Sequence, residues 1–89
     1  MLLSGNRKVL FMKDTPPVNT AKQFGALVRS ARKAQGLTQE DLAGMTSTGR
    51  RFISDLENGK ASIQLEKALH VLSSLGVALC PRNTWKDDY

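Results

Sequence analysis

Between Leu37 and Lys60 the chain reads LTQEDLAGMTSTGRRFISDLENGK, and few folds accommodate that stretch. Thr38, with Asp41 three residues later, has the spacing of a helix start, and Leu42, Ala43 and Met45 give the short helix that follows an inward side. Thr46-Ser47-Thr48 breaks it. A second short helix runs from about Gly49 to Asn58 and ends at Asn58-Gly59. Helices of so few turns are unstable alone in water, so both must be held by packing against other helices.

The flanks supply those helices. Thr20 and Gln23 have capping-box spacing, and Phe24, Leu27, Val28 and Ala31 follow at i, i+3, i+4 and i+7, with Lys22, Arg29 and Lys33 elsewhere on the wheel. Gly36 stops that helix. After the pair, Ser62 caps a helix that buries Leu65, Ala68, Leu69 and Leu72, with Leu75 closing the run and Gly76 as its stop. Val77 to Cys80, before Pro81, is too brief for a helix and reads as a strand. A lone strand leaves backbone groups unpaired, so it needs either the N-terminal arm or the same strand of a second subunit. Residues 1–19 form that arm, in which RKVLFMK can make a short strand and DTPPVN disfavours helix. Residues 20–80 form the domain, with 77–80 as dimerisation strand, and residues 81–89 form a polar tail broken by Trp85 and Tyr89.

With 89 residues the chain makes one small core, and a partner subunit is an expected source of extra stability. A net charge of +5 favours polyanionic partners. The single cysteine, Cys80, excludes an intrachain disulfide and a multi-cysteine zinc site; it reads as a small apolar residue of the strand, in a reducing cytoplasm. No apolar run reaches membrane-spanning length, and the N-terminus has no signal-peptide pattern. The only histidine, His70, is a surface or boundary residue without a metal-spaced neighbour. No Ser-His-Asp set, phosphate-cradling Gly-rich loop or carboxylate cluster points to an enzyme, and nothing calls for a metal or cofactor.

At about 100° per residue, Phe52, Ile53 and Leu56 share the inner side of the helix from Gly49 to Asn58, and Arg50, Arg51, Ser54, Asp55 and Asn58 share the outer side. Arginines at the N-terminal end of such a helix suit the major groove. A guanidinium fork can bond guanine O6 and N7 together, worth about 1–3 kcal/mol of discrimination. Gly49, Arg50, Arg51, Ser54 and Asp55 are the candidate base readers, and Thr38, Gln39, Asn58 and Lys60 the candidate phosphate contacts. Asp55 either reads a cytosine amino group or pairs with Arg51, and pairing is the simpler reading.

LTQEDLAGM followed by RRFISDLENGK resembles the helix-turn-helix of the Cro/C1 repressor family, through Gln39, Leu42, Ala43, Ile53, Ser54, Leu56, Glu57, Asn58 and Gly59. The resemblance spans Phe24 to Leu79. It implies a mainly α, lambda-repressor-like bundle of four or five helices with a short C-terminal strand pairing across a dimer. It also implies an ion pair between Arg32 and Glu57. The chain departs from the family at the turn: Ser47 stands for the usual Gly, Thr48 for a hydrophobic residue, and Gly49 for a Ser or Thr cap. FGALVRSARKAQGLTQ and LEKALHVLSSLGVAL further resemble the HipB-type antitoxins, which repress their own operon and bind a HipA-type kinase toxin.

The resulting expectation is a cytoplasmic, nucleoid-associated bacterial repressor. It binds double-stranded DNA at a palindromic operator as a homodimer joined through Leu72, Leu75, Val77 and Leu79, with a HipA-like kinase as partner. Trp85 either folds back over the domain or fills a pocket of that partner. The alternatives are a stand-alone phage or chromosomal repressor, and a protein-interaction module that reuses the fold.

Overall fold

The computed structural model describes residues 17–81 and Trp85, and among these it contains four helices and no strand: α1 (Ala21–Ala34), α2 (Gln39–Thr46), α3 (Arg50–Glu57) and α4 (Leu65–Ser74). Local chemistry sets where the helices begin. The Thr20 hydroxyl accepts the Gln23 N–H at 3.0 Å while the Gln23 side chain accepts the Thr20 N–H at 3.1 Å, and Thr38 and Asp41 repeat this exchange at 2.9 Å in both directions. Each box satisfies donors that the first turn of a helix leaves open.

Three of the helices end alike. The N–H groups of Leu37, Lys60 and Val77 reach back to the carbonyls of Arg32, Asp55 and Leu72, each just after a glycine at positive φ. At Gly59 (φ 82°) the glycine is required twice over, because a Cβ there would also lie 2.8 Å from Lys22 Cα. Gly25 of α1 has a similar role. A Cβ at that position would run into the Leu56 carbonyl and lie 2.8 Å from that of Glu57, so α1 can approach the end of α3 only because Gly25 has no side chain.

Helix α3 packs on α1 and α2, and α4 packs on α2. Val28, Leu42, Ile53, Leu56, Val71 and Leu72 are the fully buried centre, with Ala43, Ala68 and Leu75 completing the core. Burying each of the large ones stabilises the domain by about 1.5–3 kcal/mol before entropy is counted. Gln35 Nε2 donates to the Leu75 carbonyl at 2.8 Å, joining the end of α1 to the end of α4.

Several expectations require correction. Met45 is exposed and Thr46 is buried in its place, because Thr46 falls between Leu42 and Ala43 on the α2 wheel while Met45 falls outside them. The Thr46 hydroxyl is satisfied by the Leu42 carbonyl at 2.9 Å and by Thr48 Oγ1 at 2.9 Å. Leu65 and Leu69 are 66% and 41% exposed, since α4 turns Ala68, Val71, Leu72 and Leu75 inward and leaves the other two on its shoulder. Gln64, not Ser62, is the N-cap of α4, and no side chain caps it.

Among the described residues, 77–80 pair with no strand, and the N-terminal arm that was one of the two expected partners lies outside those residues. Of the four residues expected at a dimer face, Leu72 and Leu75 are consumed by the chain's own core and Val77 packs against it, leaving Leu79 exposed. The arm of residues 1–16 and most of the tail, 82–84 and 86–89, lie outside the described residues. No helix among the described residues is long and apolar enough to cross a membrane.

Candidate nucleic-acid interface

Helix α3 has a buried side and a charged side. Ile53 and Leu56 are buried and Phe52 is half-buried, with the Lys67 ammonium 5.6 Å from its ring centre. On the other side Arg50, Arg51 and Asn58 are exposed, and Ser54 and Asp55 are half-buried. No side chain caps the N-terminal end of α3, where Gly49 is extended (φ −86°, ψ 155°), and no acidic residue stands in the first turn. That end therefore presents two cations together with the positive end of the helix dipole, an arrangement that attracts phosphate oxygens and base acceptors.

Asp55 is the one carboxylate on this face, and two cations flank it. Its Oδ2 lies 3.8 Å from Arg51 Nε and 3.6 Å from Lys60 Nζ. With the Arg51 side chain 90% exposed these are loose contacts worth little in stability, and the face remains cationic.

The turn that aims α3 is unusual. Ser47 ends α2 in the left-handed conformation (φ 57°, ψ 36°), which costs a residue with a Cβ more than it would cost glycine. Thr48, half-buried where an apolar residue was expected, is accommodated because its hydroxyl pairs with that of Thr46. The Ser47 and Thr48 N–H groups bond the carbonyls of Gly44 and Ala43 at 3.4 and 3.0 Å.

At the opposite end, α3 is braced by charge. Glu57, its last residue, takes a two-pronged ion pair from Arg32 of α1, Nε to Oε2 at 2.6 Å and Nη2 to Oε1 at 3.0 Å. Arg32 Nη1 also donates to the Leu37 carbonyl at 2.8 Å, and Gln39 Nε2 donates to Glu57 Oε1 at 3.1 Å. Burial pushes the Glu57 carboxyl up, but hydrogen bonds from Arg32 and Gln39 and the charges of Arg32 and Arg29 outweigh it and hold the group below the usual carboxylate range. The same hydrogen bond to Glu57 raises the Arg32 guanidinium above its ordinary value, against the opposing effect of burial. Both side chains are thus charged, paired and bonded, the condition for burying them at tolerable cost.

Gln39 is therefore tied to Glu57 through its amide nitrogen, a link across eighteen positions that no local pattern in the sequence signals. The Thr38 hydroxyl accepts the Asp41 N–H. Hydrogen bonds from the backbone and side chain of Thr38 hold the Asp41 carboxyl low. Thr38, Gln39 and Arg50 line one open groove, and Lys33 of α1, which the helical wheel places only off the apolar stripe, lines it with them. Trp85 is 77% exposed.

The helix-turn-helix family model matches residues 28–80, more than half of the chain. An uncharacterized HTH-type transcriptional regulator, y4mF of Sinorhizobium fredii (strain NBRC 101917 / NGR234), is 48% identical over 62 residues, which cover 70% of this chain and 82% of the relative. The matched stretch contains α2, the Ser47 turn and α3 whole. The chain belongs to the Cro/C1-type helix-turn-helix family of DNA-binding transcriptional regulators.

Proposed function

We propose that this protein is a sequence-specific repressor that lays α3 in the major groove of a palindromic operator. The observation that carries this reading is the pair of exposed arginines at the uncapped N-terminal end of a helix whose other side is buried. Base contacts come from the outer side of α3, and Asn58, Lys60 and the start of α2 contact the backbone. Repression is steric, by occupation of a promoter.

A homodimer fits this function, with recognition helices about one DNA turn, roughly 34 Å, apart. Leu65, Leu69 and Leu79 are among the exposed apolar side chains available to such a contact, and the backbone of 78–80 can add a strand pairing between copies. The resemblance of the flanking helices to HipB-type antitoxins supports a HipA-like kinase as a second partner, with the exposed Trp85 as an anchor.

A fluorescence-anisotropy titration at fixed physiological salt tests the DNA reading. One labelled duplex carries the DNA upstream of the protein's own gene and the other a scrambled sequence. Preference for the upstream duplex by about a thousandfold supports a repressor acting on its own gene. Equal, steeply salt-dependent binding to both indicates an interaction module that meets DNA only through charge. Co-purification of a kinase encoded beside the gene, abolished by Trp85→Ala, tests the antitoxin role, and an unchanged yield with the variant removes Trp85 from it.

A further inference from the structure

The two adjacent arginines of α3 lie in different surroundings. Arg50 lines the groove shared with Thr38 and Gln39 of the α2 start and with Lys33 of α1. Arg51 lies outside that groove, along α3, where its nearest charged partner is Asp55 one turn on. Side chains gathered from three helices around a concavity suit an oxygen-rich group that any nucleotide presents. An arginine outside the concavity, its side chain 90% exposed on the outer side of the helix, is placed to present its fork to one base edge.

Resting on the DNA-binding reading above, we propose that Arg50 and Lys33 form a phosphate clamp and that Arg51, outside the groove on the outer side of α3, is the guanine-reading arginine. Lys33 becomes a DNA contact and Arg50 ceases to be a base reader. Glu40 also lines the groove, so a phosphate there needs both cations to offset it.

The test uses the full chain and single variants Lys33→Ala, Arg50→Ala, Arg50→Lys, Arg51→Ala and Arg51→Lys, each checked for folding by circular dichroism. Binding is measured across a salt series on a preferred duplex, selected with the native chain from a random pool, and on a scrambled one. Lys33→Ala and Arg50→Ala should weaken both duplexes by a common factor and lower the salt slope by about one for each protomer bound, and Arg50→Lys should restore both. Arg51→Ala should reduce the preference for the selected duplex on the order of tenfold or more, and Arg51→Lys should not restore it, since a lysine lacks the fork. Loss of preference in Arg50→Ala to the extent seen in Arg51→Ala, or an unchanged salt slope in Lys33→Ala and Arg50→Ala, overturns the assignment while leaving the DNA reading intact. A native chain that selects no sequence from the pool overturns the DNA reading itself, and this inference with it.

Discussion

The two ends of α3 are built by opposite means. Its C-terminal end is buried and over-determined: Glu57 is gripped by Arg32 and Gln39, Gly59 closes against Lys22, and Gly25 lets α1 come within backbone contact. Its N-terminal end starts from an uncapped glycine after a strained serine turn and presents two exposed arginines. A helix that must both be held and make contact can divide those tasks along its length, with buried charge at one end and exposed charge at the other. Changes at the braced end should therefore appear in stability, and changes at the open end in binding.

The largest expected effect breaks the brace. Glu57→Ala leaves Arg32 buried and unpaired, and should cost about 3–5 kcal/mol, seen as a fall of more than about 10 °C in the melting temperature of a domain this small. A loss under about 1 kcal/mol would show that the pair is bystander to the fold. Gly25→Ala comes next. Its methyl group meets backbone carbonyls that cannot swing aside, so chemical denaturation should show a loss of about 2–3 kcal/mol although only one carbon is added.

Acid should act on the same end. The folded pKa of Glu57 lies below its unfolded value, so the native state binds fewer protons; its contribution is complete above the unfolded pKa and is lost as pH falls through the folded one. Melting temperature should hold above about pH 5 and decline below about pH 4, with a shallower decline in Glu57→Gln. Asp41 acts in the same direction. At the open end, Ser47→Gly relieves the left-handed strain but adds freedom to the unfolded chain, for a net gain of about 0.5 kcal/mol in a denaturant titration. The smallest effect belongs to Asp55→Asn, which removes two loose surface pairs and should change stability by less than about 0.5 kcal/mol.

The sequence is most informative where the determinant is local. The capping boxes at Thr20 and Thr38, the glycine stops after α1, α3 and α4, and the inward Ile53 and Leu56 each follow from residues within a turn or two of one another. Periodicity was less informative about burial. It identifies α4 as apolar but not which part of its wide apolar arc meets α2, so it places Leu65 and Leu69 inward and does not single out the buried Val71. On α2 the same ambiguity exchanged Met45 and Thr46. The place of Gln39 at a helix start predicts a phosphate donor, whereas its bond to Glu57 depends on a fold that brings α2 beside the end of α3. The groove that gathers Lys33, Thr38, Gln39 and Arg50 is tertiary in the same way: its members come from three helices.

The division of labour along α3 is tested most directly by one variant measured twice. Arg50→Ala/Arg51→Ala should melt within about 2 °C of the native chain, because neither side chain is part of the core, and should lose most of the native preference for its own upstream duplex over the scrambled one. A fall of many degrees, or a variant that keeps the native preference, would contradict the account: the first would make the arginines structural, and the second would move DNA recognition away from α3.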